Sequence, residues 1–265
     1  MKEGYIPKEK RKKILMLSDD IRTYSGVGGM AKEIILKSAQ HFNWVNLGGA
    51  VKHPEAGRAF DLSNNINELT GLTDSYVKVI ASNGYGDQNI LRSIISQEKP
   101  DAIVHFTDPR YWVWMYKMEN EIRQKCPLIF YTIWDDVPYP MYNREFYRSD
   151  DMHLCISRQT ENIVKNVLRD YPKPDWAVQY IPHGISEDKF YPIINDLEFE
   201  TWKEKVLNKK EYDFVVLWNS RNIRRKNPSD IILAWRTFLD QLPEEKAKKC
   251  MLLMKTEAIF EHGTD

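Results

Sequence analysis

Residues 12–39, KKILMLSDDIRTYSGVGGMAKEIILKSA, decide the fold class of this chain. The apolar run at 12–18 ends in two aspartates, which is the pattern of a buried strand that emerges at the edge of a sheet. A glycine-rich loop follows, and apolar residues then recur near helical spacing over 31–39. This order of strand, glycine loop and helix predicts the first unit of an α/β sheet.

The same alternation continues along the chain. Further strands are predicted at 44–47, 76–81, 102–106, 128–134, 152–156 and 176–181, and helices at 88–97, 109–125 and 158–168, the last capped by Ser157. Strands that alternate with helices favour a Rossmann-like, doubly wound parallel sheet. Residues 61–74 show no clear pattern. Residues 137–147 are rich in Pro and Tyr and are predicted to form a functional or lid loop.

The pattern divides the chain into a first domain at 1–192, a linker at 193–210 and the beginning of a second α/β domain at 211–265. This second part offers a strand at 212–218, a helix at 228–239 and a strand at 250–255. One strand, one helix and one further strand cannot close a sheet with two covered faces. We therefore expect an incomplete second Rossmann-like domain, which either continues in a longer natural chain or docks on another partner.

Composition narrows the class of protein. With 265 residues and 42% hydrophobic content the chain can bury a sizeable core, so disorder is not expected. Lys+Arg and Asp+Glu are 38 each, so no global field draws the chain to nucleic acid or to an anionic membrane. Three separated cysteines exclude a zinc ribbon and a disulfide framework and suit a reducing compartment. No signal-peptide core or transmembrane segment is visible, and we expect a cytoplasmic protein.

Positive charge is concentrated between the predicted strand and helix of the second domain. In the segment 219–228, NSRNIRRKNP, Arg221 comes just after the strand and Lys226 just before the helix. Arg binds two phosphate oxygens at once, Lys adds a point charge, and helix N–H groups also favour anions. A diphosphate is the natural ligand of such a loop. A solvated basic turn explains the same residues equally well.

The glycine loop after the first strand leaves two alternatives open. Gly26 and Gly28, followed by Ala31, form a variant of the dinucleotide fingerprint Gly-x-Gly-x-x-Gly. No acidic residue follows the second predicted strand, which disfavours a nicotinamide-dependent enzyme. A permissive turn into a helix is the other explanation of these glycines.

Taken together, these segments resemble the retaining glycosyltransferases of family four, which have the GT-B fold. Residues 181–192, IPHGISEDKFYP, resemble the interdomain stretch of that family. Arg221 and Lys226 match its Gly-Arg...Lys-Gly motif, with Ser and Asn in place of the two glycines. Gly28 and Gly29 resemble its glycine loop after the first strand.

The resemblance implies a hexosyltransferase-like enzyme that moves a sugar from a nucleotide-diphosphate-sugar donor to an acceptor with retention of configuration. Arg221 and Lys226 would neutralise the leaving diphosphate, and Gly28 and Gly29 would approach the phosphates or the sugar. No cofactor and no metal are expected, because these cations replace the divalent ion. The acceptor implied is a glycan, a lipid-linked sugar, a protein or a nucleic acid.

The acceptor side departs from the family pattern. Where many members carry a histidine after the fifth strand, this chain has Trp134, Asp135 and Asp136. Trp134 either stacks on a sugar or belongs to the core, Asp135 is the catalytic candidate, and Asp136 can contact an acceptor hydroxyl. His105 and Asp108, at the end of the neighbouring strand, compete for the acceptor-side role.

Two further features limit what the resemblance implies. Family members carry a pair of glutamates eight positions apart in the donor domain, and this sequence ends before that region, with Glu257 lacking a partner. The alternative is therefore a catalytically silent module of the same fold that binds a glycan, a nucleic acid or a partner. His183, in the segment 181–192, is expected to be structural.

Overall fold

The chain folds into two compact units, Met1–Lys189 and Phe190–Asp265. The structure is a computed structural model that describes residues 4–208, 210–260 and 263. The domain ranges 1–192, 193–210 and 211–265 stay predictions, and their outer ends at 1–3 and 264–265 lie outside the described residues.

The first unit is built on an eight-stranded sheet. Its strands are β1 Lys12–Asp19, β2 Phe42–Val51, β3 Ala59–Asp61, β4 Val77–Asn83, β5 Ala102–His105, β6 Leu128–Thr132, β7 Met152–Cys155 and β8 Val178–Tyr180. Their spatial order is β3-β4-β2-β1-β5-β6-β7-β8, and every neighbouring pair is parallel except β3 and β4. The order runs outward from β1 in both directions, which confirms the predicted Rossmann-like, doubly wound sheet.

Helices connect these strands. In the first unit they are α1 Gly26–Ser38, α2 Ser63–Thr70, α3 Gln88–Glu98, α4 Val113–Tyr116, α5 Glu119–Arg123, α6 Arg144–Ser149 and α7 Arg158–Val167. Short 3₁₀ helices lie at Lys8–Lys10, Pro109–Trp112, Met141–Asn143 and Asp175–Ala177. The predicted cap of α7 is present, since the Ser157 hydroxyl accepts a hydrogen bond from the Thr160 amide.

Strand β1 is buried on both faces of the sheet. Ile14 and Met16 belong to the cluster that includes the buried side of α1, whereas Leu15 and Leu17 belong to the cluster that includes α3. Burial of one such side chain contributes about 1.5–3 kcal/mol. A strand covered on both sides explains why the run at 12–18 is apolar throughout rather than alternating.

Two sequence predictions about helices and loops need correction, and one stretch without a prediction contains regular elements. Residues 109–125 form a 3₁₀ turn, α4 and α5 instead of one helix, because Trp112 and Met118 leave helical geometry with φ near −114° and −113°. Residues 137–147 are not wholly a loop, since α6 begins at 144 and Tyr147 is fully buried against Phe130. Residues 61–74, which showed no pattern, contain α2 and the end of β3.

The second unit contains a two-stranded parallel sheet. Its elements are α8 Leu197–Val206, β9 Phe214–Asn219, the 3₁₀ turn Arg224–Lys226, α9 Pro228–Asp240, α10 Glu244–Ala247 and β10 Cys250–Lys255. The Phe214 ring packs against Trp235 and Phe238 of α9. Helix α8 lies within the predicted linker. Among the described residues of this unit only Asn222 and Pro228 are buried, so its apolar strands stay partly uncovered.

Within the part of the chain that the structure describes, no helix is both long enough and apolar enough to cross a membrane.

A charged cluster joins the amino ends of β1 and β4 to the last residue of α3. The Glu98 carboxylate accepts hydrogen bonds from Lys13 Nζ at 2.8 Å, Lys78 Nζ at 2.8 Å and the Tyr76 hydroxyl at 2.6 Å. Burial alone would raise the pKa of Glu98, but these donors lower it from its ordinary 4.5 to about 2. The ionised carboxylate therefore stabilises the fold.

We expect Glu98→Gln to lower the free energy of unfolding at pH 7 by about 1–3 kcal/mol, because charge-assisted hydrogen bonds are lost. Since the pKa of Glu98 is depressed in the fold, its contribution is present above about pH 4.5 and is lost as the pH falls toward 2. Urea unfolding at pH 7, 4.5 and 3 measures both effects, and the variant should lose less stability on acidification than the wild type.

Glu121→Gln is the matched control, because Glu121 is an exposed glutamate that pairs with Arg92 at the surface. It should leave unfolding at pH 7 unchanged. Equal effects of the two variants would contradict the role given to Glu98.

Candidate functional site

The carboxyl edge of the first sheet has its topological switch point between β1 and β5. The chain continues from β1 toward β2 and β4 on one side, while β5 to β8 lie on the other. In doubly wound sheets, ligands bind in the crevice outside the strand ends at such a point. The residues that follow β1 and β5 are therefore the first candidates for a site.

The glycine loop after β1 is held by its own hydrogen bonds. The Ser25 hydroxyl caps α1 by accepting from the Gly28 amide at 2.9 Å, and it donates to Asp19 at 2.5 Å. The Gly29 amide donates to the Ser25 carbonyl. The amides of Gly28 and Gly29, the two residues predicted to contact phosphate, are thus both hydrogen-bonded within the loop.

The two glycines differ in what surrounds them. A Cβ at Gly28 would lie 2.5 Å from the Thr23 hydroxyl and 2.6 Å from the Asp20 carbonyl. At Gly29 nothing lies within 4 Å. Local packing therefore explains Gly28 without a ligand, whereas Gly29 offers open space at the start of α1, and phosphate contact by either residue stays a prediction.

Asp20 is neutralised within the same loop. Its carboxylate is almost fully buried and forms a two-pronged ion pair with Arg22, at 2.9 Å and 2.6 Å. Gly48 of β2 permits this arrangement, because a Cβ there would lie 2.8 Å from the Asp20 side chain. Asp20 thus anchors the loop and is not available to a ligand.

His105 lies beneath the edge rather than on it. The ring is fully buried, stacks on Phe130 with centroids 4.6 Å apart, and places Nδ1 2.9 Å from the Tyr116 hydroxyl. Burial lowers the pKa of His105 to about 3, so the ring is neutral at physiological pH. We do not retain His105 among the acceptor-side candidates.

Asp108, the other candidate after β5, lies at the edge and is paired with Arg110. The guanidinium contacts both carboxylate oxygens, at 3.0 Å and 2.5 Å. Burial would raise the pKa of Asp108, but the hydrogen bonds from Arg110 hold it below its ordinary value. The same guanidinium lies 5.4 Å from the ring centroid of Trp134, which fixes the tryptophan beside the strand ends.

Trp134, Asp135 and Asp136 follow β6 at the same edge. Trp134 is half-buried and meets Tyr142 edge to face at 5.8 Å. Asp135 and Asp136 are exposed, and neither carboxylate forms an ion pair with a described residue. Backbone contacts hold this turn, because Gln159 donates to the Asp135 carbonyl and Thr160 donates to the Trp134 carbonyl. The structure thus brings Asp108, Trp134 and the two aspartates to one edge.

An aromatic stack at this edge was not predicted from the sequence. The Tyr85 and Tyr111 rings lie parallel, 4.8 Å apart with an interplanar angle of 6°. Burial, together with the Asp19 carboxylate 3.3 Å from the Tyr85 hydroxyl, raises the pKa of Tyr85. The only signal in the sequence was the presence of aromatic residues after two strand ends.

Residues 181–189 cross the carboxyl ends of β5 to β7. The Ile181 amide donates to the Cys155 carbonyl, and the Tyr131 hydroxyl donates to the Ile181 carbonyl. The His183 ring packs edge to face against Phe106 and Tyr131, and burial lowers its pKa. This position agrees with a structural role for His183.

The second unit presents a basic loop at the carboxyl end of β9. Arg221 and Lys226 are exposed, and neither forms an ion pair with a described residue. Asn227 adopts a left-handed conformation with φ 47° directly before Pro228, so the chain turns sharply into α9. Unpaired cations in front of a 13-residue helix form a positive surface suited to an anion.

This loop is held in place by the segment after β10. Asn222 is buried and its side-chain amide donates to the Ala258 carbonyl at 3.1 Å. The Ser220 amide donates to the Lys255 carbonyl at 3.3 Å, which brings a further exposed lysine beside the loop. Lys255 is a basic residue of this edge that sequence reasoning missed.

The described residues contain no group of three or more His, Cys, Asp or Glu side chains placed to hold a metal ion. Independence from metal ions stays a prediction.

No family model matches the chain, and no curated protein matches it in sequence. Among solved structures, the chain is similar to Medicago truncatula UGT71G1 complexed with UDP-glucose, with 12% identity, a TM-score of 0.43, and coverage of 94% of this chain and 72% of that one. A likeness at this level does not show that the two proteins share a ligand. The resemblance to glycosyltransferase family four rests on the sequence motifs.

We expect Gly28→Ala to destabilise the first unit by about 1–3 kcal/mol, because its Cβ would overlap the Thr23 hydroxyl and the Asp20 carbonyl. Gly29→Ala is the matched control and should be neutral or stabilising by up to about 1 kcal/mol, since alanine favours the helix and meets open space. Thermal unfolding of both variants measures the difference. Equal stability of the two would contradict the packing explanation of Gly28.

Proposed function

We propose that this chain is a glycosyltransferase that uses a nucleotide-diphosphate sugar as donor. The observation that carries the proposal is that Arg221 and Lys226, at the carboxyl end of β9 and in front of α9, are exposed and have no ion-pair partner among the described residues. The sequence motif that they match in family four supports the same interpretation. We also propose that the transferred sugar is a hexose and that the configuration of its anomeric carbon is retained.

The proposed chemistry is displacement at the anomeric carbon of the donor sugar. The acceptor hydroxyl oxygen forms a bond to that carbon on the same face from which the diphosphate oxygen leaves, because a single displacement retains the configuration only by attack on that face. Arg221 can hold two diphosphate oxygens and Lys226 can add a point charge, so both stabilise the negative charge that develops on the leaving group. We propose Asp135 as the residue that accepts the proton of the acceptor hydroxyl.

Charge neutralisation by these side chains would serve in place of a divalent ion. We therefore propose a reaction that needs no metal and no organic cofactor.

Cys126 and Cys155 are buried free thiols, which supports the inferred cytoplasmic location.

The second candidate is a catalytically silent binding module. The second unit favours it, because Val215 and Leu217 of β9 are 42% and 63% exposed and the described part of the sheet has two strands. Such a module would bind nucleotide weakly or not at all and would transfer no sugar.

Nucleotide binding tests the proposal. We expect UDP, GDP or ADP at about 100 times its Kd to stabilise the protein by about 2.7 kcal/mol, seen as a rise in Tm. Arg221→Ala should abolish the rise, because the bidentate phosphate contact is lost. Hydrolysis or transfer of a matching nucleotide sugar, followed by NMR of the anomeric proton, then measures activity and configuration.

Arg236→Ala is the matched control, since Arg236 is an exposed arginine of α9 that pairs with Asp240. It should keep the full nucleotide-induced rise. Absence of a rise with all three nucleotides would leave the silent module as the better account, and a rise with NAD alone would favour the dinucleotide interpretation of the glycine loop.

A further inference from the structure

A continuous line of contacts runs along the carboxyl edge of the first unit. We propose that this line, which we call the aromatic edge, binds the ring of an uncharged saccharide as acceptor. It comprises Tyr85, Tyr111, Trp134 and Tyr142, joined by Arg110. The inference rests on the proposed function, because it names the acceptor class of that enzyme.

The Tyr85 and Tyr111 stack supplies a rigid platform. Tyr85 is fixed beneath Tyr111 by its hydroxyl contact with Asp19 and by edge-to-face packing on the buried Trp112 at 5.4 Å. One face of Tyr111 is therefore covered, and the residue is still 56% exposed. A platform held in this way loses little side-chain freedom when a ligand stacks on it.

A second aromatic surface lies on the other side of Arg110. The guanidinium rests 5.4 Å from the Trp134 ring centroid and is itself held by the Asp108 carboxylate. Tyr142, which is 64% exposed, meets Trp134 edge to face. Because Tyr111 directly follows Arg110, the two aromatic surfaces belong to one contiguous stretch of the edge.

The charged groups of the aromatic edge are mainly acidic. Arg110, which lies over the Trp134 ring, is held in an ion pair with the adjacent Asp108. Asp135 and Asp136 are exposed carboxylates of this edge that form no ion pair with a described residue, whereas the buried Asp19 already accepts hydrogen bonds from Ser25 and Tyr85. The unpaired charge beside Trp134 is therefore negative.

Aromatic faces beside unpaired carboxylates favour one chemical class of ligand. A sugar ring presents a face of C–H groups, positively polarised, that attracts the negative face of an aromatic ring. Its hydroxyl groups donate hydrogen bonds, and carboxylates are strong acceptors of them. Aromatic faces beside unpaired carboxylates thus fit an uncharged saccharide.

The same surface disfavours a nucleic acid. Bases also stack on tyrosine and tryptophan, but proteins that bind single strands surround such rings with cations that track the phosphates. Beside Trp134, Arg110 is paired with Asp108 and the unpaired charges are the carboxylates of Asp135 and Asp136, which repel phosphate. A nucleic-acid acceptor would need the opposite charge pattern.

Titration of the protein with neutral trisaccharides tests the proposal. The probes are maltotriose, cellotriose, mannotriose and galactotriose. An eight-nucleotide oligothymidylate is titrated in parallel to represent a nucleic-acid ligand. Binding is measured by tryptophan fluorescence and by NMR of the ligand. We expect saturable binding of at least one trisaccharide, unchanged between 0.05 and 0.5 M salt because the ligand carries no charge. Tyr111→Ala should weaken it about tenfold, and Tyr111→Phe should retain it because the ring face remains.

Tyr171→Ala is the matched control, because Tyr171 is 52% exposed in the same unit and contacts Arg148 away from the aromatic edge. It should bind the trisaccharide as the wild type does. Tyr142→Ala provides an independent variant should Tyr111→Ala fail to fold, and it should also weaken binding.

Two results would overturn the proposal. One is that no trisaccharide of the panel binds, or that binding is unchanged in Tyr111→Ala and Tyr142→Ala. The other is salt-dependent binding of the oligothymidylate that the tyrosine variants abolish. The nucleotide-induced rise in Tm, measured on the same sample, separates failure of this inference from failure of the proposed donor site.

Discussion

The burial of β1 on both faces is the constraint on which the first unit depends. Leu15 and Leu17 face one layer while Ile14 and Met16 face the other, and the strand pairs with β2 and β5 along its length. Because β1 is the strand from which the sheet grows in both directions, its end is also the switch point. The same strand that forms the core therefore fixes where Asp19 and the glycine loop emerge.

Charge distinguishes the strand ends of the two units. At the end of β9 in the second unit, Arg221 and Lys226 have no ion-pair partner among the described residues. In the first unit the arginines are paired and carboxylates remain. Parallel strands place loop residues at their carboxyl ends in both cases, so the side chains rather than the fold decide which ligand each edge suits. This difference supports the proposed phosphate-bearing donor and uncharged acceptor.

The sequence predicted the elements that repeat a strong pattern and failed where packing overrides local preference. The apolar run at 12–18 identified β1, since buried parallel strands are apolar throughout, and the apolar run at 250–255 identified β10, although that strand is only partly covered. Residues 137–147 resembled a loop, but burial of Tyr147 made part of the segment a core element. In the site, Arg221 was placed correctly after β9 because order along the chain sets it. The stack of Tyr85 on Tyr111 joins residues far apart in sequence, and no local pattern encodes that contact.

The central claim is that a nucleoside diphosphate binds at the carboxyl end of β9. A crystal structure of the protein grown with UDP, GDP or ADP tests it most directly. The account predicts phosphate oxygens within about 3 Å of the Arg221 guanidinium and the Lys226 ammonium group. Diphosphate bound instead at the glycine loop before α1, with Arg221 and Lys226 free in solvent, would contradict it.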